Sequence, residues 1–307
     1  AMTTPTTDDA ARPSRGARRA APLGLLAMGG TVFAFSLGST IVKKAGIPGP
    51  TMAFWRMLFT TVLWFGILGV KERRLVRLSE LRAALVPGIL FGVNIALFFE
   101  GVTRTTVANA ELIGALTPLI IVPAGAILFG ERLDPRALSF GALSIVGLVI
   151  VLFNAPPNGI ASWTGNLIVA CAIVLWASYL LTSRRLRQTM DVVVIMTAIM
   201  PIATLAVLPI TLARGEMFEV TTRSVPYIVG LGLMTGIAAH GLMVFAQRTV
   251  PIGTIGILQV AQPALAVVWA YLLLDQGLRP IQIGGMALVI VGLVAVVAAT
   301  QRAVPPL

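Results

Sequence analysis

Ten apolar runs, each near the ~20 residues a helix needs to cross the hydrocarbon core of a bilayer, follow one another along this chain. They lie at approximately residues 23–42, 50–70, 83–102, 106–129, 137–153, 165–182, 192–213, 225–246, 252–274 and 281–299, and their connections are too short to hold a folded domain outside the membrane. Lipid offers no hydrogen bonds to a bare peptide backbone, so such runs must become helices whose N–H and C=O groups pair internally. The expected fold class is therefore an all-α integral membrane protein of ten transmembrane helices. Composition agrees, because 57% of the 307 residues are hydrophobic and 11% charged. The mean hydropathy of +0.92 exceeds what a soluble core can hide. Residues 1–21 are polar, contain Pro and Arg, and have no period, and they read as a disordered N-terminal tail. The first apolar run is longer than the roughly 7–15 residues of a signal-peptide core and is expected to stay in the mature protein.

The charges are unevenly placed. The net charge of +11 comes from 23 Lys and Arg against 12 Asp and Glu. Basic residues are retained on the cytoplasmic side during insertion. Sorted onto alternate connections, 16 fall on the side of the tail, the 71–82 loop, Arg132 with Arg136, Arg184, Arg185 and Arg187, Arg248 and Arg302. Only 6 (Lys43, Lys44, Arg104, Arg214, Arg223 and Arg279) fall on the other, and Arg56 lies inside a run. Both termini are therefore expected in the cytoplasm, which an even number of spans permits. This pattern is a topology signal and gives no reason to expect a nucleic-acid partner. One cysteine, Cys171, excludes a disulfide framework and a multi-cysteine metal site.

Shifting the chain against itself by 145 residues lays Leu112–Leu152 over Ile257–Val297 with 13 identities in 41 positions. Pro118 falls on Pro263, Leu133-x-Pro135 on Leu278-x-Pro280, and Ile145-Val-Gly-Leu-Val149 on Ile290-Val-Gly-Leu-Val294. Prolines and glycines match by chance less often in apolar sequence than valines do, so two repeats are expected, over residues 22–155 and 156–307. Five spans per repeat is an odd number, so the second unit enters the membrane inverted relative to the first. Inverted repeats recur in secondary transporters, where two equivalent halves expose one midplane site to either side in turn.

Three stretches have a further likeness: Ala53-Phe-Trp-Arg56, Thr117-Pro118 through Gly130-Glu-Arg-Leu133, and Ser144-Ile-Val-Gly147. In their order and spacing they resemble the drug/metabolite transporter superfamily, specifically its ten-span EamA branch, and most of all the bacterial aromatic amino-acid exporters within it. The chain departs from that pattern at Gln276, which stands opposite Glu131, and at Phe35-Ser-Leu-Gly38, where the family often has a tryptophan. The resemblance implies export of small metabolites, with aromatic and other large neutral amino acids favoured. It implies no cofactor.

Polar and helix-breaking residues inside the runs mark the candidate solute path. Pro118 and Pro123 in span four and Pro263 in span nine each remove a helix hydrogen bond, and Pro118 and Pro263 are candidate hinges. Kinks that only fit helices together are the plainer alternative. Near these prolines lie Asn109, Glu111, Gln259 and Gln262, groups that a hydrated cavity tolerates and lipid does not. His240 sits mid-span beside Gly236 and Gly241, which leave room for a solute or for a helix, and Asn94 lies one residue from its repeat counterpart. Each is a candidate solute contact or an interhelical hydrogen bond. Arg56 and Glu111 sit at comparable depth by the ~1.5 Å rise per residue and are expected to pair, as a gate or as a static tie. Trp176 and Tyr179, with Phe33 and Phe98, are candidates for an aromatic wall or for ordinary packing. Glu100 and Arg104 read as an interfacial i,i+4 pair. Ser139 with Gly147, and Gly284 with Gly292, suit close helix contact or a dimer seam, so monomer and homodimer both stay open.

The chain has no His-Glu-x-x-His, no Gly-x-Ser-x-Gly and no phosphate-binding Gly-x-x-x-x-Gly-Lys-[Ser/Thr], and it is not expected to be an enzyme. The expected partners are a small-molecule substrate and the lipid bilayer of the cytoplasmic membrane. Proton-coupled efflux of hydrophobic cations through Glu111 is the competing reading, against which the cation Arg56 counts.

Overall fold

The computed structural model of the chain describes residues 15–129, 135–154, 161–250, 255, 258–259 and 261–302. These residues form helices and turns, and there is no strand among them. In chain order the helices are α1 (Arg15–Ala45), α2 (Gly49–Glu72), α3 (Leu78–Arg104), α4 (Val107–Ala115), α5 (Thr117–Phe129) and α6 (Pro135–Phe153). Then come α7 (Trp163–Arg187), α8 (Val192–Ala213), α9 (Val225–Leu231), α10 (His240–Ala246), α11 (Ala261–Leu274) and α12 (Pro280–Arg302), with a π-helical segment, Gly232–Ala239, joining α9 to α10.

Among the described residues six helical stretches are long and apolar enough to cross a membrane: Leu23–Ala45, Gly49–Glu72, Leu78–Arg104, Trp163–Arg187, Val192–Ala213 and Val225–Ala246. Shorter apolar helices, Val107–Ile121, Ser139–Val151, Ala261–Leu274 and Pro280–Ala295, fall within the other four expected runs. The expected tail is corrected at one end, since α1 begins at Arg15 and residues 15–21 extend it. Residues 1–14 lie outside the described residues, as do Gly130 to Leu133 of the family-like motif.

The ends of the helices are set by local chemistry. Thr106, Ser162 and Asp191 cap α4, α7 and α8 by accepting from Asn109, Gly165 and Val193 N–H, which satisfies donors that a helix start leaves free. The fourth run is broken where Pro118 predicts. Pro118 cannot donate to the Gly114 carbonyl, and the chain closes α4 at Ala115 and restarts at Thr117. The freed Gly114 oxygen accepts from Thr117 Oγ1 at 2.6 Å, so the break leaves that carbonyl satisfied in an apolar setting.

The described connections gather into two groups at opposite ends of the bundle. At one end Lys71 pairs with Asp191 at 3.1 Å, and Gly24 lies against Thr249 and Val250. At the other, Arg104 meets Ser162, Lys43 donates to the Val102 and Thr105 carbonyls, and Arg214 pairs with Glu100 at 3.1 Å. The Glu100–Arg104 pair is present and is wider than expected, because Arg214 shares the same carboxylate.

α6 packs on α12 and α2 on α8, each pair antiparallel. In the first pair the contacts are reciprocal. A Cβ on Gly147 would meet Gly285 O at 2.6 Å and Val289 N at 2.8 Å, while one on Gly292 would meet Phe140 O at 2.9 Å and Ser144 N at 3.0 Å. Adding 145 to Phe140, Ser144 and Gly147 returns Gly285, Val289 and Gly292. Such an exchange between antiparallel helices is what a two-fold axis perpendicular to them generates. The small residues of runs five and ten thus hold the two halves of one molecule together. Gly284 has nothing within 4 Å of a Cβ, and Ser139 is exposed, so neither takes part in that contact.

Candidate solute site

One cavity of about 110 Å³ lies where helices of both halves converge. Its wall comes from α1 (Phe35, Gly38, Ser39), α2 (Arg56), α3 (Asn94, Ile95, Phe98, Phe99), α4 and α5 (Glu111, Gly114, Ala115, Thr117, Pro118) and α7 (Ile173, Trp176). Leu231, Thr235, His240, Gln259, Gln262 and Pro263 complete it. That volume is large enough for several waters.

The polar groups on this wall are held in distinct ways. Glu111, 2% exposed, accepts from the Ser39 hydroxyl on one oxygen and from Gln262 Nε2 at 2.8 Å on the other, so residues from both halves orient its carboxylate. Asn94 donates to the Ala172 carbonyl of α7 at 2.7 Å. The π-helical segment widens the helix by one residue per turn and ends at His240. The His240 Nδ1 donates to the Thr235 carbonyl at 2.6 Å, since a carbonyl can only accept. Its ring stands edge-on to Phe35 and Phe91, both at 4.7 Å, and to Trp176 at 5.9 Å. Nε2 of His240 is buried with no partner among the described residues.

Arg56, 1% exposed, is the largest fully buried side chain among the described residues. Its guanidinium carbon lies 5.6 Å from the centre of the Phe99 ring, within cation–π range. Nε and Nη1 are buried and have no partner among the described residues.

The expected Arg56–Glu111 pair is therefore corrected. Both groups line one cavity, but Glu111 is turned toward Ser39 and Gln262 and Arg56 toward Phe99. Equal depth left their rotation about the helix axes undetermined, and rotation separates them. Tyr179 lies behind the wall, 1% exposed and packed on Phe91 and Trp176, and Phe33 faces outward against Trp269 at 53% exposure. Asn109 is buried among Thr105 and Asn166, away from the cavity lining. The other candidates (Asn94, Glu111, Trp176, His240, Gln259, Gln262, Arg56, Pro118 and Pro263) meet around this space. Gly236 and Gly241 make room for α2, against Thr60 and Trp64.

Ser39, Phe35 and Phe99 were not singled out from sequence. A signal for Ser39 is present, since Thr31, Ser36, Ser39 and Thr40 are the hydroxyl residues of an apolar run. The π-helical segment has no sequence signature of that kind.

The sequence model of the EamA-like transporter family matches this chain twice, over residues 22–153 and 163–298, one copy in each half. The chain belongs to the EamA-like transporter family. Its cavity thus lies between the two EamA units, and the reciprocal α6–α12 contact joins the end of one unit to the end of the other. A relative named an aromatic amino acid exporter YddG, from Ancylobacter novellus, is 31% identical over 165 residues, covering 50% of this chain and 56% of that one. An uncharacterized transporter of Methanothermobacter thermautotrophicus is 25% identical over 68% of this chain and 62% of its own length. Another, YetK of Bacillus subtilis, is 24% identical over 66% and 63%. The matches thus span about three fifths of these curated relatives. A solved crystal structure with a TM-score of 0.65 and 24% identity covers 92% of this chain and 99% of that one, a likeness of fold.

Proposed function

We propose that this EamA-family chain exports amino acids, aromatic and other large neutral ones foremost, or related metabolites, by alternating access through the central cavity. In this reading it crosses the cytoplasmic membrane ten times with both termini in the cytoplasm. The observation that carries the proposal is one cavity, between two repeats, that holds a guanidinium with no counter-ion among the described residues, a hydrogen-bonded carboxylate and an aromatic wall.

A zwitterion can use separated cationic and anionic contacts, and the rings of Phe35, Trp176 and His240 favour an aromatic side chain. The name of the Ancylobacter relative points the same way. Two units related by a two-fold axis in the membrane plane can exchange conformations, turning a midplane site from one face to the other. The broken segment at Pro118, and Pro263 at its repeat position in the first turn of α11, are the proposed hinges. Lacking a phosphate-binding loop in its sequence, the chain would draw on solute or ion gradients.

Efflux of hydrophobic cations is the second reading, because Glu111 is a buried carboxylate on the cavity wall. Arg56 on the same wall disfavours a cationic solute by direct repulsion. Purified protein in liposomes separates the two. Labelled phenylalanine or leucine is expected to cross faster than in empty vesicles. Flux of a lipophilic cation without amino-acid flux would replace this reading with the second.

A further inference from the structure

We propose that Arg56 anchors a carboxylate of the transported solute and that this contact selects amino acids over the corresponding amines and amides. The inference rests on the amino-acid reading above and assigns a role to one side chain within it.

Burying a cation without a counter-ion is strongly unfavourable, and a buried arginine is ordinarily paired or hydrogen-bonded. Arg56 is 1% exposed, and no described residue pairs with it. Two carboxylates of the surrounding helices, Glu111 on the same cavity wall and Glu100 next to Phe99 in sequence, are engaged elsewhere. Glu111 is held by Ser39 and Gln262, and Glu100 is shared by Arg104 and Arg214. The positive charge is thus left for something that enters the cavity, and a planar fork of N–H donors matches a carboxylate through two parallel hydrogen bonds.

The guanidinium is also held in place in advance. The start of α2 crosses α3 at backbone contact, since a Cβ on Gly49 would lie 2.2 Å from Glu100 N. Thr51 and Trp55 donate to the Glu216 and Met217 carbonyls at 2.9 and 2.8 Å, which fixes the turn before Arg56. Phe99 then supports the face of the guanidinium. A rigid, desolvated donor fork needs no reorganisation on binding. A solute with its carboxylate there can lay its side chain toward Trp176 and His240, which line the same space. An amine without the carboxylate would leave the buried cation unpaired and bring a second positive charge beside it.

The experiment compares two competitors of labelled L-phenylalanine flux in proteoliposomes of the wild-type chain: unlabelled L-phenylalanine and L-phenylalaninamide, which keeps ring and amine and replaces the carboxylate by a neutral amide. The amide is expected to compete at least about tenfold more weakly. In Arg56→Gln, shown to be folded by size-exclusion profile, that ratio is expected to fall to within about threefold. Arg56→Lys, which keeps the charge and loses the fork, is expected between the two. The wild-type comparison stands even if Arg56→Gln does not fold. Equal competition by amide and amino acid in the wild type overturns the assignment while leaving amino-acid transport intact. Absence of amino-acid flux altogether is a different result, which removes the transport reading and this assignment together.

Discussion

At the scale of single residues, the cavity is built from groups that lipid would penalise and neighbouring helices partly satisfy. Glu111 and Asn94 are tied to other helices, whereas Arg56 Nε and Nη1 and His240 Nε2 have no hydrogen-bond partner among the described residues. The same economy shows at Thr117, whose hydroxyl serves the carbonyl that Pro118 frees. Thr117→Ala is expected to lower stability by about 1 kcal/mol, read as a fall in thermal midpoint, with Thr117→Ser close to wild type. Equal midpoints for Ala and wild type would mean that the Gly114 carbonyl needs no partner. Intramembrane polarity in the sequence located most of these residues, because a charge or amide in an apolar run has few tolerable places. Pairing was not legible: which of Ser39, Gln262 or Arg56 meets Glu111 depends on helix rotation to within a fraction of a turn, and depth along the helix says nothing about it.

At the scale of elements, two kinds of contact position the helices. The first is capping. Asp191 caps α8 through Val193 N–H at 3.0 Å and faces Lys71 across the bundle end. Partial burial, the largest single influence, pushes its carboxyl up, but the Val193 N–H, Lys71 and Arg187 together hold it below the usual range. A carboxyl lowered in the native state stabilises fully above its unfolded pKa, and that contribution is lost as pH falls through the lowered value. The thermal midpoint of the wild type is therefore expected to fall more between about pH 5 and about pH 3 than that of Asp191→Asn, whose amide keeps the cap without the charge. Asp191→Ala, which loses the cap, is expected to cost about 1 kcal/mol at neutral pH.

The second kind is backbone approach at glycine. Gly147→Ala puts a methyl 2.6 Å from Gly285 O, which only a shift of α6 against α12 can relieve. It is expected to destabilise by about 1–3 kcal/mol in thermal unfolding. Gly284→Ala, with open space around it, is expected to be tolerated. Small-residue spacing in runs five and ten pointed to close packing but left the partner open between a second copy and the other half. The reciprocal contact of Gly147 and Gly292 gives the other half as that partner. The π-helical segment before His240 was not legible, since Gly-Leu-Met-Thr-Gly-Ile-Ala-Ala suits an α-helix equally well, and the packing of Gly232 and Gly236 on Phe59 and Thr60 accompanies the widened turn.

At the scale of the whole molecule, one relation organises the rest: two EamA units, reciprocal across α6 and α12, enclose a cavity to which both contribute. This much was legible because the repeat leaves matched prolines and glycines 145 residues apart, and polar residues lie near those prolines in both halves. This cavity, read as the solute path, must open to each face in turn. The most direct measurement places a single cysteine at Ile95, on the cavity wall, after the exposed native thiol is removed by Cys171→Ser, and applies a membrane-impermeant thiol reagent to vesicles of each orientation. The account predicts modification from both faces, with rates that change when phenylalanine is present. Modification from one face alone, in protein that still transports, would contradict it.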